Sequence, residues 1–277
     1  MPWLPEFTSA VELARRELVR AERADPVAQY LAAVTRGESR DLESVWSGQV
    51  LVLDPRAGRV EGHRQLEAFA RTSAEWLASR RARVESGAAT AGPGRAVVEL
   101  MVHLDGEDEG PGTGWPVAVV AESPEDRVVT FRIYCSQRPV DGRRHVRGAV
   151  LEPGGDAPGD VVGAYLAALR AGDVDAVVAA FTPDGYVQEA EGPHPRHDGT
   201  EALRELFGGW LADGGVTLDP CRVTDDGVRC AVEYNCVRWG STDLPPQAEL
   251  AVFERGPGGL LAAQRIYGDV VPPGAPT

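Results

Sequence analysis

Apolar residues recur at helical spacing over Val161, Ala164, Tyr165, Ala168 and Leu169, and the run stops at Ala171-Gly172. This predicts an amphipathic helix closed by a glycine that can take the left-handed turn a helix end needs. Asp173 follows as an N-cap for a second short helix through Val177, Val178 and Phe181. A short strand over 185–189 and a loop rich in Gly, Pro and His come next. The stripe Leu203, Leu206, Phe207 and Trp210 predicts a third helix over 200–211. Strands over 228–239, 248–253 and 260–267 end the chain, with Glu-Arg-Gly-Pro-Gly-Gly at 254–259 supplying a turn. Helices first and mostly antiparallel strands afterwards predict an α+β layer fold.

The same pattern is written twice. Val27-Ala-Gln-Tyr30-Leu-Ala-Ala-Val34-Thr-Arg-Gly37 aligns with Val162-Gly-Ala-Tyr165-Leu-Ala-Ala-Leu169-Arg-Ala-Gly172. The shift that joins Tyr30 to Tyr165 also carries Trp46 onto Phe181 and Asp54 onto Glu189. Gly62 with Leu66 matches Gly199 with Leu203, and Arg132-Ile133-Tyr134 matches Arg265-Ile266-Tyr267. Small drifts in the shift are what loop insertions produce. Two domains are therefore expected, over 25–142 and 160–277, joined by a linker over 143–159 that contains Glu-Pro-Gly-Gly-Asp-Ala-Pro-Gly. An N-terminal extension over 1–24 holds an Arg/Glu-rich amphipathic helix from about Ser9, placed to cover the seam between the two. The pair is expected to pack as an intramolecular pseudo-dimer.

Composition narrows the chemistry. With 28 basic and 42 acidic side chains the net charge is −14, which disfavours nucleic acid and anionic membranes as partners. The basic residues are all Arg, so neither a Schiff-base lysine nor the lysine of a phosphate-binding loop is present. No apolar run approaches a membrane span, and the N-terminal stretch carries Glu and Arg where a signal peptide needs an apolar core, so a cytoplasmic protein is expected. Cys135, Cys221, Cys230 and Cys236 lack metal-binding or redox spacing and read as small buried hydrophobes.

The Tyr165 helix ending in Leu-Arg-Ala-Gly-Asp-Val-Asp, the aromatic Phe181, and a carboxylate at Glu189 resemble the ketosteroid isomerase and SnoaL-like branch of the NTF2-like superfamily. The first copy fits as well, with Asp54-Pro55 at the general-base position. The resemblance implies two cones, each a curved antiparallel sheet wrapped by helices around a ligand pocket. It also implies roles: Tyr165 as hydrogen-bond donor to a developing oxyanion, Glu189 as base, and Glu249 as an acid kept neutral by apolar surroundings. Counting back from Arg265 registers Glu249, and the same count from Arg132 reaches Pro116. The first copy thus keeps Tyr30 and Asp54 but lacks the second acid. Independently of the family, alternation along Gln247-Ala-Glu249-Leu-Ala251-Val-Phe253 sets Glu249 on the face of Ala251 and Phe253, where a carboxyl would be desolvated and its pKa raised. The alternative is that Glu249 lies on a solvent-facing edge and Glu189 on a loop rim.

Other candidates read as structural. His194 and His197 flank Pro and Arg on a loop, which makes a surface segment the better reading than a metal site. His63, His103 and His145 are scattered, with no nucleophile motif beside them. Glu99 and Glu233 occupy matching strand positions, where a solvated outward face is expected; with Glu75 they are reserve acids. Tyr186, Trp239 and Trp115 are core aromatics or pocket walls. The acidic run at 105–114 has the composition of a solvated hairpin loop.

Tandem copies of this kind resemble the fused polyether epoxide hydrolase/cyclases. The expected function is a cofactor-independent acid/base enzyme of secondary metabolism, acting on a polyketide-like substrate by cyclisation, epoxide opening or isomerisation. The partner is then a small hydrophobic metabolite, with Tyr165, Glu189 and Glu249 as the working residues and Tyr30 and Asp54 their counterparts. A non-catalytic protein that sequesters a hydrophobic ligand or docks a partner is the alternative; a pseudo-dimeric scaffold without a ligand is a third.

Overall fold

The computed structural model describes residues 25–45, 49–105, 112–123, 128–190 and 196–273. The helix expected before Asp25, together with Trp46, His194 and most of the acidic run, lies outside the described residues. The first half runs α1 (Pro26–Arg36), α2 (Arg40–Val45), β1 (Gln49–Asp54), β2 (Gly58–Glu61), α3 (His63–Ser79), β3 (Arg83–Gly92), β4 (Arg95–Leu104), β5 (Thr113–Glu122), β6 (Val128–Tyr134) and α4 (Arg138–Asp141). The second half repeats the order as α5 (Val161–Ala171), α6 (Val174–Ala179), β7 (Phe181–Gln188), β8 (Arg196–Asp198), α7 (Gly199–Trp210), β9 (Val216–Asp225), β10 (Arg229–Trp239), β11 (Thr242–Arg255) and β12 (Leu261–Tyr267).

Local chemistry sets the helix ends. The Asp160 carboxylate accepts from Val162 N–H at the start of α5, and Gly172, at φ 75°, closes it. Asp173 caps α6 through Ala176 N–H. Each half folds as a six-stranded sheet, in the orders β2-β1-β6-β5-β4-β3 and β8-β7-β12-β11-β10-β9. All neighbours are antiparallel except β1 with β6 and β7 with β12. The architecture is α+β, two halves in tandem that share one order of strands and helices.

Two strands depart from the sequence reading. β8 lies in the stretch read as loop, and β9 precedes the strands read from sequence, its Val-Thr-Leu-Asp-Pro-Cys-Arg-Val-Thr-Asp carrying a proline and two acids that mask a strand pattern. β9 is an edge strand, and Pro220 sits beside a register shift opposite Tyr234, so its missing N–H interrupts little of the ladder.

The inner face of each sheet packs on its own helices; the outer faces pack on each other. Val97, Ala118, Val120 and Tyr134 of the first half meet Ala231, Ala248, Leu250, Val252 and Tyr267 of the second in one apolar cluster. This is why β5 is buried without interruption from Gly114 to Ala121 instead of alternating. The seam also corrects the reading of Glu99 and Glu233 as solvated. Both are buried, and each is gripped by the other half. Arg132 Nε and Nη2 donate to Glu233 at 2.6 and 2.8 Å, and Tyr134 Oη adds a bond of 2.8 Å. In pseudo-symmetric fashion Arg265 donates to Glu99 at 2.5 and 2.9 Å, with Tyr267 Oη at 2.7 Å. The repeated Arg-Ile-Tyr therefore points Arg and Tyr into the seam, while Ile133 and Ile266 line the two cones.

Candidate active site

The cone of the second half encloses a cavity of about 100 Å³. Tyr165 reaches it from α5, Glu189 from the end of β7, Tyr234 from β10, Glu249 from β11 and Gln264 from β12, with Trp210 and Trp239 as aromatic walls. Arg144 from the linker and Val270 and Pro272 from the C-terminal tail also contribute to the lining. Alternation delivers these residues: Leu250 and Val252 go to the seam, while Glu249, Ala251 and Phe253 go to the cone.

Glu249 is buried at 7% exposure. Desolvation pushes its carboxyl up to about 7, helped by the charges of Asp269 and Glu189 and opposed by the Tyr234 hydroxyl and the Val270 N–H. Tyr234 is its cross-strand neighbour and donates to Oε2 at 2.5 Å. Gly268 lets this carboxyl sit where it does, because a Cβ there would lie 2.7 Å from Glu249 Cγ. Asp269 accepts from the N–H groups of Gln137 and His145, both at 3.0 Å, and so ties the linker region to the wall of the cavity.

Glu189 is half-buried, and Oε2 lies 3.1 Å from His197 Nε2. His197, expected on a surface loop, is held on β8 opposite Val187. The ring of Tyr165 is fixed by Phe181, Phe207 and Phe253 at centroid distances of 5.9, 6.0 and 5.4 Å. Burial raises its phenol, against the nearby Gln264 amide, yet neither Tyr165 Oη nor Gln264 Oε1 has a hydrogen-bond partner.

The first half holds a larger and more apolar cavity of about 560 Å³, walled by Tyr30, Phe69, Trp76, Trp115 and Ile133, with Asp54 and Arg56 also in its lining. Sheet register shows how the two differ. Arg265 pairs with Val252 and Arg132 with Val120, so the counterpart of Glu249 is Val117, not Pro116. Sequence counting erred by one because the β11–β12 connection is one residue longer, measured between these pairs, than β5–β6. By the same register Tyr234 corresponds to Leu100 and Gln264 to Phe131. Three polar positions of the second cone are thus apolar in the first. Tyr30 stacks on Phe131 at 4.9 Å, and Asp54 Oδ1 is engaged by the N–H groups of Arg56 and Ala57, both at 2.8 Å.

Among the other candidates, Glu75 is exposed and outside the lining of the cavity. Tyr186 faces the seam region, where its hydroxyl accepts from Arg265 at 3.1 Å. Trp115 and Trp239 are cavity walls. The four cysteines are buried and free. Among the described residues no cluster of His, Cys, Asp and Glu could hold a metal ion, and no helix is long and apolar enough to cross a membrane.

Tyr234, Gln264, Asp269 and the Glu189–His197 contact were not singled out from sequence. Gln264 carried a signal, since it shares the inward phase of Ile266. Tyr234 needed the register with Glu249, and Asp269 follows the last strand with no pattern to mark it.

Residues 162–256 match the SnoaL-like domain family. Among similar solved structures, a Sinorhizobium meliloti protein assigned as a polyketide cyclase is 24% identical, covering 38% of this chain and 92% of its own with a TM-score of 0.33. SalBIII, an epoxide hydrolase/cyclase-like enzyme of pyran ring formation in the polyether salinomycin, is 26% identical over 39% of this chain and 88% of its own, with a TM-score of 0.32. An NTF2-like protein of unknown function from Cytophaga hutchinsonii is 12% identical over 39% and 87%, with a TM-score of 0.32. The match to the SnoaL-like domain family thus falls within the second half of the chain, and the first half repeats the order of elements of the second.

Proposed function

We propose that the second cone is an acid/base centre that isomerises, cyclises or opens an epoxide of a polyketide-like molecule, using only the chain's own groups. The observation that carries this reading is Glu249: a carboxyl held near a pKa of 7 by burial, hydrogen-bonded to Tyr234, in the same cavity as Glu189 and Tyr165. Proton transfer at carbon or at an epoxide needs a charged carboxylate to take a proton and a neutral acid to give one, both near the working pH. Glu189, with Oε2 occupied by His197, is the base and presents its other oxygen. Glu249 is the acid. Tyr165, its ring locked by three aromatic edges, donates to oxygen that gains charge. The SnoaL-like match of this half supports the same class of chemistry.

The first cone is read differently, because Leu100, Val117 and Phe131 replace its polar groups while its cavity is several times larger. It holds a small hydrophobic molecule without transforming it, with Tyr30 and Asp54 at the wall as binding groups. This retains ligand binding, the alternative to catalysis, for one half of the chain.

The test is to incubate purified protein with hydroxy-epoxides and β,γ-unsaturated ketones of polyketide type and follow products by NMR and mass spectrometry. Conversion by the wild type should fall by about 10²–10⁴ in Glu189→Gln and in Glu249→Gln. Equal turnover in both variants removes the assignment.

A further inference from the structure

The cavity of the second cone contains two buried polar atoms without partners, and they belong to neighbouring residues. Gln264 is 1% exposed with Oε1 unsatisfied, and Tyr165 is fully buried with its hydroxyl unsatisfied. An unpaired buried polar group is costly, and a native fold retains one where something outside the chain completes it. The fold does not require an amide there, since the first half has Phe131 in the same register, stacked on Tyr30. The aromatic neighbours of Tyr165 cannot satisfy it, because Phe181, Phe207 and Phe253 surround its ring with hydrocarbon, which leaves the Gln264 amide as its polar neighbour.

The chemistry of the missing partner follows from what the two atoms lack. The Tyr165 hydroxyl has a proton to donate, and Gln264 Oε1 has lone pairs to fill. Turning the amide so that Tyr165 donates to it leaves an amide N–H and a phenol lone pair instead, still one donor and one acceptor. A carbonyl or ether oxygen completes only the donor. A hydroxyl completes both.

We propose that Gln264 and Tyr165 together read a hydroxyl group, so that the second cone selects a ligand that inserts an O–H beside the acid/base pair. This rests on the cavity being the reaction site, and it narrows the substrate to a hydroxylated one, such as a hydroxy-epoxide or hydroxy-ketone. Gln264 is then a specificity residue: it binds the hydroxyl and takes no part in proton transfer.

Small aromatic probes of matched size test this with the full chain. Phenol, anisole and toluene are titrated by NMR, following the side-chain signals of Trp210 and Trp239. The wild type should bind phenol at least ~10-fold tighter than anisole or toluene, the margin a buried unpaired group imposes. Gln264→Leu should bring the three within about threefold of one another. If that variant fails to fold, Tyr165→Phe, which keeps the ring, carries the same expectation. Anisole or toluene binding the wild type as tightly as phenol overturns the inference. So does a phenol preference that survives in the variants, or no binding of phenol at all, which would leave water as the partner. Because binding is read without turnover, a chain that prefers phenol yet converts no substrate leaves this inference standing and removes the reaction instead.

Discussion

Arg132 of the first half grips Glu233 of the second in a two-pronged pair, and the same pair recurs with the halves exchanged as Arg265 and Glu99. Both lie between sheets that otherwise meet through apolar side chains, and Tyr134 and Tyr267 add their hydroxyls to the two carboxylates. Removing one partner strands a charge in the buried seam, whereas removing both takes the two opposite charges out together, with Glu122 keeping Arg95 as a partner.

Arg132→Met should therefore cost about 3–5 kcal/mol in urea unfolding, and adding Glu233→Met should restore most of it. The Arg132 pair is the more deeply buried of the two, with side chains 2% and 3% exposed, so it should show the larger coupling. Additive losses in the double variant would mean that the seam does not isolate these charges.

The Glu249 carboxyl is raised from 4.5 to about 7, so between those values the folded chain holds a proton that the unfolded chain has released. The contribution of this group to stability is therefore fully present below about pH 4.5 and is lost as pH rises towards 7. The loss amounts to about 3 kcal/mol. Chemical denaturation of Glu249→Gln, compared with wild type at intervals from pH 5 to 8, should show this slope only in the wild type. Parallel curves would place the carboxyl in water.

Tyr234 stabilises the charged form of Glu249 by donating to it. Tyr234→Phe should move the Glu249 titration further above 7, as read from its ¹³C carboxyl shift. A downward movement would contradict the assigned direction of that bond.

Gly268 has φ 142° and sits against the Glu249 side chain. Gly268→Ala is expected to lose about 1–3 kcal/mol of stability in thermal unfolding, from backbone strain and the clash together. Unchanged stability would show that the Glu249 carboxyl has room to shift.

Ala68 lies in the lining of the first cavity, on the exposed side of α3. Ala68→Trp should weaken binding of the apolar fluorophore 1,8-ANS by ~10-fold, a loss equivalent to a small buried apolar contact area. Undiminished fluorescence would place the ANS site elsewhere.

Periodicity and punctuation alone determined the α+β class, the doubling of the chain and most helix boundaries, because capping and amphipathic burial depend on residues close in sequence. The Asp173 cap and the Gly172 stop needed no tertiary information. Alternation likewise placed Glu249 on the face of Ala251 and Phe253 before any sheet was assembled. The meaning of the outer faces was decided by tertiary structure. Nothing local tells Glu233 that an arginine about a hundred residues away will face it, so a strand glutamate read as solvated became half of a buried pair. The same holds for register: Val117, and not Pro116, stands where Glu249 stands, because strand pairing and connection length fix that match. The polar trio of Tyr234, Glu249 and Gln264 comes from three different strands. Alternation marks Glu249 alone of the three, and only the closed sheet brings all three side chains into one hollow, where burial turns an ordinary carboxyl into an acid.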